Sequence, residues 1–196
     1  MDFTQTGPEV VKAVNQRWLL KQWDLLREGT RLPRWRYLPV EDLKPIQDTL
    51  MVCDVVPDDA DQRFLIKYLG AQIAKAYGGD FRGRHLDEAL PDIWRENALK
   101  TYRKTIDGGL PVYNAVDIRH RDGCLVHMER LLLPFSSDGR TADRILASIE
   151  TVSLEGRFAQ DNLGQSPGAT SSCALVATIV MDRRQASLKT PRPVAS

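Results

Sequence analysis

The stretch ERLLLPFSSDGRTADRILASIE, residues 129–150, fixes the class of fold. Two β-rich apolar runs flank Asp138-Gly139. An Asp-Gly pair between such runs is a strong hairpin signal, because both residues tolerate positive φ. The first run opens with a charged pair, Glu129-Arg130. Successive residues of a strand point to opposite faces of a sheet, so the two charges cannot share one solvated side. Either one of them meets a covered surface, or both lie where the covering layers leave a gap.

Working outward, a second Asp-Gly pair, Asp122-Gly123, joins this hairpin to an earlier β run, which predicts an antiparallel meander of residues 112–121, 124–135 and 141–154. Two further β runs, 49–56 and 63–69, lie upstream around a Pro57-Asp58-Asp59 turn. Between the two groups the spacing predicts a short helix over 71–77, a glycine-punctuated loop, and a long helix from Asp92, as N-cap, to about Ile106. The segment LPRWRYLPVEDLKP, with Pro33, Pro39 and Pro45, predicts an extended connector around a short helical turn. A helix before it carries two apolar stripes, Val11, Val14, Trp18 and Leu25 on one and Leu19, Trp23 and Leu26 on the other. This order predicts an α+β fold with one antiparallel sheet of five strands. It divides the chain into an N-terminal amphipathic helix (1–31), a domain (32–154) and a flexible C-terminal tail (155–196). The tail is rich in Gly, Ser, Gln, Pro and Ala, although residues 174–181 could add a strand. Removing residues 164–196 is expected to change stability by less than about 1 kcal/mol.

Composition narrows the function. Hydrophobic residues make up 42 % of the 196, enough for a packed core. Lys and Arg number 27 against 26 Asp and Glu, a net charge of +1, which speaks against a nucleic-acid partner because phosphate contacts need clustered cations. Cys53, Cys124 and Cys173 form no C-x-x-C pair, so neither a disulfide framework nor a zinc site is indicated. No secretory signal and no apolar run of the ~18 residues that a membrane helix needs is found. The expectation is a cytoplasmic protein with no membrane partner.

Phosphate-loop and dinucleotide motifs are absent from the sequence. Ser136, Ser137 and Asp138 fall together as turn chemistry alone predicts, and no nucleophile–base pair emerges. The three histidines are His85, His120 and His127. A two-residue turn at Asp122-Gly123 places His120 opposite Leu125, with His127 diagonal to it, and supplies no third metal ligand. Tyr68, Tyr77, Tyr102, Tyr113 and Asn114 could line a cavity, their polar ends orienting a ligand, and ordinary packing explains each equally well.

RFLIKYLGAQIAKAYGGDFRGRHLDE (63–88), with Gly70, Tyr77, Gly78, Asp80, Gly83 and Leu86, resembles the corresponding segment of a bacterial family of small stand-alone PAS-domain proteins. The hairpin of residues 129–150 is similar to that family's fourth-to-fifth strand pair, and the resemblance spans about residues 32–154. It implies short helices over one sheet face, enclosing a small-molecule cavity, and an N-terminal helix over the other. His127 or Arg130 would then be cavity-side polar groups. The resemblance implies a sensory or regulatory domain, not an enzyme, that binds a small ligand or a signalling protein. Haem and flavin are disfavoured, since the long helix has no His and the loop no Cys; a ligand of unidentified kind remains. The alternatives are a small α+β cavity enzyme of isomerase or dehydratase type, using His127 or Asp117, and a ligand-free scaffold. The stripe Leu19, Trp23 and Leu26 is expected to form the interface of a homodimer.

Overall fold

The computed structural model describes residues 2–27, 30–58, 62–119, 124–153 and 169–181. Among these, seven strands form one sheet: β1 Thr4–Thr6, β2 Leu50–Pro57, β3 Gln62–Leu69, β4 Val112–Arg119, β5 Leu125–Phe135, β6 Arg144–Ser153 and β7 Thr170–Ile179. Their spatial order is β1-β7-β4-β5-β6-β2-β3, and only β1 and β7 pair in parallel. The helices are α1 Val14–Leu26, α2 Ala71–Tyr77, α3 Leu86–Ala89 and α4 Asp92–Gly108. The proline-rich connector forms 3-10 turns at Trp35–Tyr37 and Val40–Thr49. The five expected strands are contiguous, as β4-β5-β6-β2-β3, and two more extend the sheet beyond β4.

Strand β7 corrects the expectation of a flexible tail for residues 170–179. It pairs with β4 from Val112↔Thr178 to Arg119↔Thr170, and its Val176, Ala177, Thr178 and Ile179 are buried. The polar composition of the whole segment hides a run whose Thr, Val and Ile residues suit a pleated surface. Pairing there also covers the amides that the edge of β4 would otherwise expose. Residues 155–168 and 182–196 of the expected tail lie outside the described residues.

Strand β5 answers why Glu129 and Arg130 adjoin. Its even-numbered residues, Met128 and Arg130 among them, face α4, whereas Glu129, Leu131 and Leu133 face α1. From Leu131 to Phe135 every residue is buried, since helices cover both faces there. Arg130 is therefore under the helices at 2 % exposure, while Glu129 stands half-buried near the start of α1.

Helix α1 docks through Gln16, Leu19, Leu20 and Trp23, one i, i+3, i+4, i+7 stripe. The Trp23 indole N–H donates to the Pro134 carbonyl at 2.6 Å. The Gln16 amide Nε2 donates to the carbonyls of Glu129 (3.2 Å) and Ser148 (3.0 Å), pinning the helix to β5 and β6. This corrects the expected homodimer interface. Leu19 and Trp23 are 1 % and 0 % exposed within their own chain, Leu26 is half-buried against the same core, and the exposed apolar residues are Val14 and Leu25. A wide apolar face shows that a helix is buried, but its two stripes do not reveal which one turns inward.

Entry into α2 depends on Gly70. A Cβ there would lie 2.4 Å from the carbonyl oxygens of Gln47 and Asp48, so only glycine allows this approach of the 3-10 turn.

Candidate functional site

The interior between the sheet and helices α2 and α4 is built from aromatic walls and a few polar atoms. Tyr77 ends α2 and lies 6.0 Å from Trp94 of α4, while Tyr102, two turns further along α4, meets Phe64 of β3 edge-on at 5.2 Å. From the sheet, Asn114 and Arg130 project as a directly opposed cross-strand pair. Two small cavities adjoin around Trp94 and Met128. One, of about 20 Å³, is bounded by Ile73, Ala76, Tyr77 and Ile149. The other, of about 10 Å³, is bounded by Ala98, Asn114, Arg130 and Ser171. Each has room for about one water molecule.

Charge makes this interior unusual. Among the described residues Arg130 is the one charged side chain in the buried set, and no Asp or Glu belongs to that set. No described hydrogen bond or ion pair reaches its guanidinium, and its Nε is enclosed without an acceptor. Trp94 Nε1, Tyr102 Oη and Asn114 Oδ1 are likewise enclosed and unpartnered. A buried ion without a counter-charge costs several kcal/mol even after relaxation, and each unmade hydrogen bond of a buried neutral group costs about 1–3 kcal/mol.

Protonation in this space is settled by burial. It pushes the Tyr102 phenol well above its usual value and raises that of Tyr77, with Arg130 opposing both shifts in part. The Cys53 thiol is also pushed up, first by burial and then by Asp54. At neutral pH the phenols are therefore neutral and can donate hydrogen bonds, and the thiol is inert. An enclosed positive charge, the Tyr102 phenol, an indole N–H and an amide can recognise an anion.

Of the residues expected to line a cavity, the structure brings Tyr77, Tyr102, Asn114 and Arg130 to this side. Tyr68 and His127 lie elsewhere. Tyr68 Oη donates to the Gln47 carbonyl at 3.3 Å in an exposed position. His127 faces the α1 side, where Nδ1 is 2.7 Å from Asp117 Oδ1 and Nε2 is 3.7 Å from Glu129 Oε1. On that face burial raises the Tyr113 phenol, and the Glu129 carboxylate, which its hydroxyl bonds, raises it further. His127 and Asp117, the residues an isomerase-type reaction would have used, therefore stand on the far side of the sheet from the cavities. The observed register also corrects the assumed turn, because Leu125 pairs with Arg119. His120, Asp122 and Gly123 lie outside the described residues.

Sequence reasoning missed Met128, Ser171 and Trp94 as lining residues. The alternation of Met128 with Arg130 on β5 was the available signal for the first. Ser171 comes from β7, where its hydroxyl donates to the Ile93 carbonyl at 3.2 Å and holds the strand to α4. Among the described residues no group of three or more His, Cys, Asp or Glu could hold a metal ion, and no helix is long and apolar enough to cross a membrane.

A mostly antiparallel sheet with α2–α4 over one face and α1 docked on the other defines a layered α+β domain. A family model described as "PAS domain" matches residues 11–150, and the chain belongs to that family. No curated protein matches. Similar solved structures include a light-oxygen-voltage domain studied with a flavin analogue, at 17 % identity over 61 % of this chain and 87 % of that one, with a TM-score of 0.43. The light state of the blue-light photoreceptor Aureochrome1 LOV is 18 % identical over 60 % of this chain and 91 % of that one, with a TM-score of 0.39. A Vibrio cholera VqmA–ligand–DNA complex is 18 % identical over 62 % of this chain and 54 % of that one, with a TM-score of 0.40. The last corrects the expectation that excluded nucleic acid, since structures similar to this chain include one bound to DNA. Net charge is an average over the chain, whereas phosphate contacts need only a local cluster of cations.

Proposed function

We propose that this PAS domain is a sensory or regulatory module that admits a small molecule between the sheet and helices α2 and α4. The observation that carries this reading is the set of enclosed, unpartnered polar atoms, Arg130 Nε, Asn114 Oδ1, Tyr102 Oη and Trp94 Nε1, gathered beside adjoining cavities. Buried polar groups are nearly always satisfied in native proteins, so four on one side of one sheet call for an occupant that satisfies them. The cavities hold about 20 and 10 Å³. A ligand therefore enters by displacing Trp94 and Met128, which separate them, and that movement shifts α4 against the sheet. Such a shift is a signal another segment can read, because ligand binding selects the opened arrangement.

The test is denaturing extraction of the purified protein with mass analysis of what is released, followed by a thermal-shift screen of metabolites. A ligand at about 100 times its Kd stabilises by about 2.7 kcal/mol, which raises Tm by about 5–10 °C in a chain of this size. Ala98→Phe, which fills the cavity beside Arg130, should abolish the shift. Absence of a released molecule together with a screen in which nothing shifts the wild type beyond the Ala98→Phe variant would remove the ligand reading.

A further inference from the structure

We infer that the molecule taken into this interior is an organic carboxylate with an apolar body, and that Arg130 receives its carboxylate. The inference rests on the ligand reading above and adds the chemical class. Arg130 is buried and unpartnered, and it bounds the smaller cavity together with Asn114. The missing element is a negative charge. Asn114 is neutral, so even a rotation that let its Oδ1 accept from Arg130 would satisfy one donor and leave the charge uncompensated.

The remaining donors fit the same occupant. A guanidinium presents parallel N–H groups that match the two oxygens of a carboxylate. Trp94 Nε1 and Tyr102 Oη, both enclosed and without partners, are further donors on the α4 wall. A phosphate dianion would need a second positive charge, and the buried set contains no other Lys or Arg among the described residues. Beyond Trp94 and Met128 the larger cavity is mostly apolar, bounded by Ile73, Ala76 and Ile149 with the Tyr77 ring, and by Gln72 and Thr151 as its polar residues. One end of the occupant is therefore charged and the other apolar. A pair so enclosed is little screened by salt.

The experiment titrates the full chain by calorimetry with phenylacetate and octanoate, each against its primary amide, phenylacetamide and octanamide. The wild type should bind an acid at least about 30-fold more tightly than its amide, as expected when a buried charge loses its partner. Arg130→Met should lose that preference. Arg130→Lys, which keeps the charge without the fork, should bind the acid at an intermediate level. Raising NaCl from 0.05 to 0.5 M, concentrations chosen on the scale of about a threefold change in Debye length, should weaken acid binding less than threefold. If an amide binds as tightly as its acid, or Arg130→Met binds the acid unchanged, the carboxylate inference is overturned and the ligand reading stands. If neither acids nor amides bind the wild type, the inference is overturned as well. The ligand reading then falls with it only if extraction of the purified protein also yields nothing.

Discussion

Replacing Trp23 separates a helix that belongs to the domain from one that serves an interface. Trp23 is fully enclosed by its own chain, and its N–H reaches the Pro134 carbonyl at 2.6 Å. Trp23→Ala removes a large buried ring, a change that costs about 3–5 kcal/mol. It also strands a buried carbonyl, which adds about 1–3 kcal/mol. The sum, about 4–8 kcal/mol, is comparable to the whole stability of a typical domain, about 5–15 kcal/mol. Trp23→Phe keeps most of the ring and isolates the hydrogen bond, so it should cost about 1–3 kcal/mol. Urea unfolding followed by far-ultraviolet circular dichroism, with sedimentation velocity on the same samples, measures both. The alanine variant should be largely unfolded, and the phenylalanine variant folded with a lowered midpoint. A Trp23→Ala protein that stays folded near the wild-type midpoint would refute the placement of α1 in the core.

Three further perturbations follow from the same geometry. Truncation after residue 168 removes β7, and loss of its buried Val176 and Ile179 alone should cost about 3–6 kcal/mol, where composition suggested less than about 1 kcal/mol; an unchanged urea midpoint would show that β7 adds nothing. Asp138 accepts from the Arg140 and Thr141 amides and the Ser136 hydroxyl, which together hold its carboxyl down from 3.8 to about 2. Its contribution is complete above the unfolded value and is lost as pH falls through the folded one, so wild type and Asp138→Asn should differ in urea midpoint near pH 6 and converge by about pH 2; a difference that persists at the acid end would contradict this. Arg130→Met should raise the stability of the ligand-free protein by about 1–4 kcal/mol, because an apolar chain replaces an uncompensated charge. A lowered urea midpoint would mean that the guanidinium has a partner within the chain.

The meander was legible because the Asp-Gly pair and the β-rich runs are local signals, and α4 because Trp94, Ala98, Tyr102 and Ile106 keep one period over about three turns. Arg130 and Asn114 were reachable as candidates once the order of elements suggested helices over one face. What failed was what depends on partners distant in sequence. Gln16 is polar, so periodicity would put it in solvent; two backbone carbonyls, of Glu129 and Ser148, hold it inside. Which stripe of α1 turns inward is decided by where β5 and β6 lie, which the helix's own residues do not encode. The face taken by His127 followed from a register that a two-residue turn would have set differently. β7 was obscured by the composition around it, and with it the contribution of Ser171.

Whether the interior keeps a positive charge free for a ligand can be read from the Arg130 Nε–H group by nitrogen-15 NMR, its resonance assigned by its loss in Arg130→Met. Enclosed beneath α4, this proton should exchange with water far more slowly than those of exposed arginines in the ligand-free protein, and its resonance should move on addition of phenylacetate or octanoate but not of the corresponding amides. An Nε–H that exchanges as fast as an exposed one, or that responds equally to acid and amide, would contradict the reading.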